Sequence, residues 1–245
     1  MKKFWEMHQK DNSDEVSIYI YGPITSEKWD ENDTTAVSFQ KDLQSLGDVE
    51  KINLYINSPG GSVFEGIAIG NMLQRHHAKV TAHVDALAAS IASVIVASCD
   101  EVIMPENSML MIHNPWSRVI GNAKEIRKEA DDLDRIGQAS VITYLAKSGD
   151  KLDEEQIKVI MDEETWLSAE EAFDLGLCDK VTKANQIAAC INEELFEKYS
   201  KVPEKLMHKE TSYQLEDIDK LRTKIKNENA FIGAYVEGII NENTI

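Results

Sequence analysis

The stretch KINLYINSPGG at positions 51–61 is strand-like through Ile56, breaks at Ser58-Pro59-Gly60-Gly61, and passes into an apolar run with helical spacing, Val63, Ile67 and Leu73. This is a strand, a tight turn and a helix. The same rhythm surrounds it. Residues 16–21, VSIYIY, form a strand closed by Gly22-Pro23, and a helix over about 33–46 follows with Ala36, Phe39, Leu43 and Leu46 on one face and Gly47 as its stop. A strand at 79–84, a small-residue helix from Ala89 to Ser98, and short strands near 102–104 and 109–113 continue it. Strands alternating with helices predict an α/β fold on a largely parallel sheet. A long helix over about 122–147, with Ile126, Ala130, Leu133, Val141 and Leu145 on a stripe, protrudes from that unit.

The 245 residues suffice for one well-buried α/β domain and an appendage. The division expected is an N-terminal segment 1–15, a main domain 16–200, and a charged tail 201–245 that is partly helical or mobile. Asp153 with Gln156, and Ser168 with Glu171, spell capping boxes at two helix starts, and Gly176 ends the second helix.

A formal charge of −17 repels phosphate backbones and anionic membrane surfaces, so neither nucleic acid nor membrane is expected as a partner. Cys99, Cys178 and Cys190 fit no metal-ligand or redox spacing and read as thiols of a reducing compartment. The first twenty residues carry no apolar signal core, and no run of about 18 apolar residues follows, which predicts a cytoplasmic protein. No GxxxxGK[ST] occurs, so ATP hydrolysis is not expected of the chain itself, and no cofactor or metal is called for.

Three segments carry chemistry. Gly60 and Gly61 free backbone N–H groups to face a cavity, which suits an anion or a carbonyl oxygen that becomes one; an ordinary turn has the same spelling. In DALAASIAS, 85–93, Ser90 opens a helix among small residues just after a strand, exposing its hydroxyl and turning the Ile91 N–H outward. Taken alone, Ser90 reads first as a helix N-cap. In MLMIHNP, 109–115, His113 ends an apolar strand at a sheet rim, where an imidazole can serve as general base or simply be a satisfied core histidine.

In this order and spacing, YINSPGG, AAS at 88–90 and MIHNP at 111–115 resemble the Clp protease proteolytic subunit family of ring-forming serine peptidases, with the likeness running from about residue 16 to 182. The resemblance implies the spiral of βαβ units shared with crotonases, a Ser90 nucleophile, a His113 base, and an oxyanion hole from the N–H groups of Gly61 and Ile91. The third triad member falls at Glu164, where the family usually has aspartate, with Asp162 in reserve. Ser117 and Arg118 replace a family Gly-Gly pair in the substrate-pairing segment. The implied partners are protein or peptide substrates, further copies in a heptameric or double heptameric ring, and a separate ATP-dependent unfoldase. YINSPGGSVFEGIAIG, LMIHNPW and ETWLSAEEAFDLGLCD look like the Clp-related head-maturation proteases of phages and prophages, implying capsid, scaffold or portal proteins as substrates in a bacterial host. The alternatives are a catalytically silent assembly ring and a crotonase-like acyl-thioester enzyme.

Overall fold

Alternating burial sets up the sheet. Ile52, Leu54 and Ile56 of β3 (Lys51–Ser58) and Val80, Ala82 and Val84 of β4 (Lys79–Ala89) are almost completely buried. The residues between them face the other side. A computed structural model describes residues 3–9, 13–26, 35–184, 199, 201 and 202, all within the unit Met1–Pro203; the tail beyond Val202 lies outside the described residues. β2 (Glu15–Tyr21), β3, β4, β5 (Glu101–Pro105) and β8 (Lys180–Thr182) run parallel in that spatial order. The expected α/β architecture of βαβ units is what forms.

β1 (Trp5–Gln9) returns antiparallel on β2, an element the sequence does not announce. It is anchored by Trp5, which is buried edge-on against Phe39. The helices α1 (Ala36–Ser45), α2 (Val63–Gln74) and α3 (Ile91–Ala97) contribute Phe39, Leu43, Ile69, Leu73 and Ile95 to the core. α2 and α3 approach closely because α2 carries Gly66 and Gly70. A Cβ on Gly66 would lie 2.2 Å from Cγ1 of Ile91, and one on Gly70 would lie 2.8 Å from Oγ of Ser98.

β4 departs from the expected strand 79–84. It stays extended through Ala89, and its partners change along its length. Thr81–His83 pair with β5, whereas Leu87–Ala89 pair with β6 (Met109–Ile112). The sheet forks there, and a crevice opens beyond the carboxyl end of β4, the kind of place where open α/β sheets bind ligands. β6 pairs on its other side with β7 (Thr165–Ser168), which is antiparallel and absent from the sequence reading.

α4 (Ala123–Ser148) is the long helix expected. At 1.5 Å per residue its 26 residues span about 39 Å. Its start is fixed by Asn122, whose side chain accepts from the N–H groups of Lys124 and Glu125. Its second half packs through Val141 and Tyr144, while Ile126 in the first half is exposed. Both expected capping boxes form, at the starts of α5 (Glu154–Asp162) and α6 (Ala169–Asp174). No helix among the described residues is long and apolar enough to cross a membrane.

Candidate active site

Ser90 is the single residue between β4 and α3. Its φ of 56° and ψ of −129° lie outside the conformations a non-glycine residue favours, and its side chain makes no cap hydrogen bond to α3. It occupies the cap position without capping. The hydroxyl turns instead to His113, whose Nε2 lies 2.7 Å from Ser90 Oγ. The turn is clamped from below. Ser90 N–H donates to the Met111 carbonyl at 2.9 Å, and the buried Ser93 hydroxyl sits 2.6 Å from the Ser90 carbonyl, 3.1 Å from the Met111 carbonyl and 2.8 Å from the Tyr144 hydroxyl.

The glycine turn packs directly against this elbow. A Cβ on Gly60 would fall 2.7 Å from Ser90 Cβ and 2.6 Å from the Ala89 carbonyl, and Gly60 has a φ of 84°, so no other residue fits without a shift. Ser58, fully buried, holds the turn by donating to the Gly22 carbonyl at 2.7 Å and accepting from the Gly60 N–H at 3.1 Å. Gly61 forms a parallel bridge with Ile24, made by Ile24 N–H to the Gly60 carbonyl and Ser62 N–H to the Ile24 carbonyl, both 2.8 Å. In such a bridge the N–H of Gly61 itself points to the opposite edge. The N–H of Ile91, first residue of α3, has no acceptor within its own helix. Pro59, Gly60, Gly61, Ser90, His113 and Trp116 line one cleft of about 370 Å³.

The β6–β7 register brings Glu164 to the His113 end of the ladder. Ile112 pairs with Thr165, so the next position along the ladder puts His113 opposite Glu164. Glu164 has a φ of 50°, and its charge acts on the imidazole: burial lowers the His113 pKa below its ordinary value, and the Glu164 carboxylate opposes that by raising it. Glu164 makes no ion pair with His113 here; its Oε1 accepts the Lys201 N–H at 2.7 Å. Asp162 points elsewhere, accepting from the Asn114 side chain at 2.6 Å. Of the sequence candidates, Ser90, His113 and Gly61 therefore line the cleft, Ile91 follows Ser90 as the buried first residue of α3, Glu164 lies near the imidazole, and Asp162 is diverted.

One residue was not foreseen. Tyr199 also lines the cleft, with its ring edge-on to His113 at 5.4 Å and to Trp166 at 5.8 Å and its hydroxyl donating to the Pro59 carbonyl. It lies more than eighty positions beyond His113, and no local motif marks it. Among the described residues no cluster of three or more His, Cys, Asp or Glu could hold a metal ion.

The family model described as Clp protease matches residues 3–185, about three quarters of the chain. The chain belongs to the Clp protease family. Among curated relatives, the ATP-dependent Clp protease proteolytic subunit 1 of Salinibacter ruber (strain DSM 13855 / M31) is 33% identical over 150 residues, covering 60% of this chain. The chain spans 63% of that relative's length. The Clp protease match begins at residue 3, and β1 is thus part of the matched region. It also takes in the elbow, the His113 strand end and Glu164.

Proposed function

We propose that this chain is a serine endopeptidase with Ser90 as nucleophile, His113 as general base, and Glu164 as the acid that orients and stabilises the imidazole. The observation that carries this reading is the 2.7 Å contact between Ser90 Oγ and His113 Nε2, made by a serine on a strained strand-to-helix turn with no cap bond. Burial keeps the imidazole neutral near pH 7, so Nε2 accepts the Ser90 proton as Oγ attacks the scissile carbonyl. The N–H groups of Gly61 and Ile91 hold the oxyanion of the tetrahedral intermediate. His113 then delivers its proton to the leaving amine. Water hydrolyses the acyl-enzyme with the same base and the same hole. Glu164, across the ladder from His113, balances the imidazolium that forms between these steps.

Protein substrates and assembly of several copies into a ring are part of the proposal, as the Clp protease family implies, and so is a separate unfoldase where the substrate is folded. The stretches shared in look with phage head-maturation proteases favour capsid or scaffold tails, which need no unfolding, and placement of the gene beside portal and capsid genes tests that assignment.

Hydrolysis of a fluorogenic peptide by purified protein tests the chemistry. Ser90→Ala should lose at least about 10⁴-fold in kcat. Glu164→Gln should lose about 10³-fold with KM little changed. Thioester turnover that survives Ser90→Ala would favour the crotonase-like alternative, and a wild-type ring inert towards every peptide would favour the silent one.

A further inference from the structure

The cleft that holds Ser90 and His113 is already occupied, and by this chain. Tyr199 touches three separate parts of it. Its hydroxyl donates to the Pro59 carbonyl in the glycine turn, and its ring stands edge-on to His113 and to Trp166. Two residues on, the Lys201 N–H donates to Glu164 at 2.7 Å. Glu164 is the carboxylate opposite His113, so its oxygen is committed to the segment. His113, Glu164 and the glycine turn are thus all engaged by residues 199 and 201, and Ser90 shares the cleft with Tyr199.

The chemistry of the contact identifies what kind of occupant this is. Tyr199 presents a phenol to the cleft, not a peptide carbonyl, so it offers no electrophilic carbon for Oγ to attack and is not a substrate in this pose. Burial, then the Glu164 charge, push the phenol pKa above its ordinary value, so the group remains a neutral hydrogen-bonding side chain across the physiological range. The chain between Thr182, the end of β8, and Tyr199 is long enough to reach from anywhere on the domain, since 17 residues extend to more than about 50 Å.

We propose that the cleft is a binding site for the chain's own Tyr199 and Lys201, which sit in cis as a plug, so that the peptidase is held inactive until they are displaced. The segment competes with any substrate that would lie between the glycine turn and His113. A site free only a fraction of the time shows an affinity reduced by that fraction, so removing the plug raises both reactivity and apparent affinity together.

Two arms separate this proposal from the reading of Ser90 as nucleophile, on which only the first rests. In the first, the full chain, Tyr199→Phe and Tyr199→Ala are labelled with a fluorophosphonate and the second-order rate is measured. Tyr199→Ala should label about tenfold faster or more. Tyr199→Phe, which keeps the ring and loses the hydroxyl contact to Pro59, should fall between it and wild type and guards against misfolding. In the second, needing no catalysis, a fluorescein-labelled peptide of residues 195–204 is titrated into Ser90→Ala and into Ser90→Ala/Tyr199→Ala. The double variant, its own plug loosened, should bind the peptide in trans about tenfold tighter or more. Labelling of Tyr199→Ala no faster than wild type, with peptide affinity equal in the two backgrounds, would overturn the proposal. Slower labelling of Tyr199→Ala would overturn it as well, since Tyr199 would then be a wall of the site. If no variant labels at all, the nucleophile reading fails and the peptide titration alone decides the plug.

Discussion

At Ser90 the backbone adopts a conformation that costs a non-glycine residue on the order of 1–3 kcal/mol. The bonds around the elbow offset it: Ser90 N–H to Met111, and the Ser93 N–H and hydroxyl to the Ser90 carbonyl, with the Tyr144 hydroxyl closing the group from α4. Ser93→Ala leaves the buried Tyr144 phenol without its partner, while the Ser90 and Met111 carbonyls each keep a backbone N–H, and should lower unfolding stability by about 1–3 kcal/mol in urea titration. Tyr144→Phe should cost less, and the pair should cost less than the sum of the two because they share one bond. A second prediction concerns His113. Only the neutral imidazole can accept the Ser90 proton, so reactivity rises with pH through the His113 pKa. Burial sets that pKa below 6.5, so the acid limb of the fluorophosphonate labelling rate should be half-complete below pH 6.5. Glu164 is the group that raises it, so Glu164→Gln should move the limb further towards acid. A limb at or above pH 6.5 in both would mean that the imidazole is not in this environment. The pairing of Ser90 with His113 is legible in the sequence only jointly, because each segment alone has an ordinary structural explanation. Tyr199 was not legible, because its place depends on the path of the whole chain.

At the scale of elements, the sequence reading places most strands and helices within a few residues, since each carries its own period and punctuation. It fails where tertiary pairing overrides local preference. Residues 86–89, Ala-Leu-Ala-Ala, are good helix formers, and Ala89 is the expected helix start. They are extended because Leu87–Ala89 pair with β6 on one side and Ala88 with Ser58 of β3 on the other. That extension is what brings Ser90 to the strand that ends at His113. β7 is likewise hidden, being four residues whose only signal is the partner they meet, yet its register is what places Glu164. Close packing of α2 on α3 gives a third prediction. Gly66→Ala should gain about 1 kcal/mol of helix propensity. The new methyl would nonetheless drive into Ile91, and overpacking of this kind costs about 1–3 kcal/mol. The expected outcome is a lower Tm and slower Ser90 labelling, because Ile91 carries one of the two N–H groups proposed to hold the oxyanion; a Tm raised by the substitution would show that α3 can retreat freely.

At the scale of the whole molecule, α4 and the segment before it extend apolar surface into solvent. Ile120 is fully exposed, and Trp116 and Ile126 are about half exposed. Under the ring proposal these residues meet other copies. Ile126→Asp should then lower the assembly mass measured by light scattering while leaving the circular dichroism spectrum unchanged. An unaltered mass would remove the first half of α4 from the interface. The net charge of −17 opposes association of identical copies, so the assembled fraction should rise with salt. The central claim is that a Clp protease fold has set Ser90 against His113 as a working nucleophile. The most direct test is to react the full chain and its Tyr199→Ala form with a fluorophosphonate and map the adduct by peptide mass spectrometry. The account predicts one adduct, on Ser90, abolished in His113→Ala; an adduct on another residue, or none on Ser90 even in the Tyr199→Ala form, would contradict it.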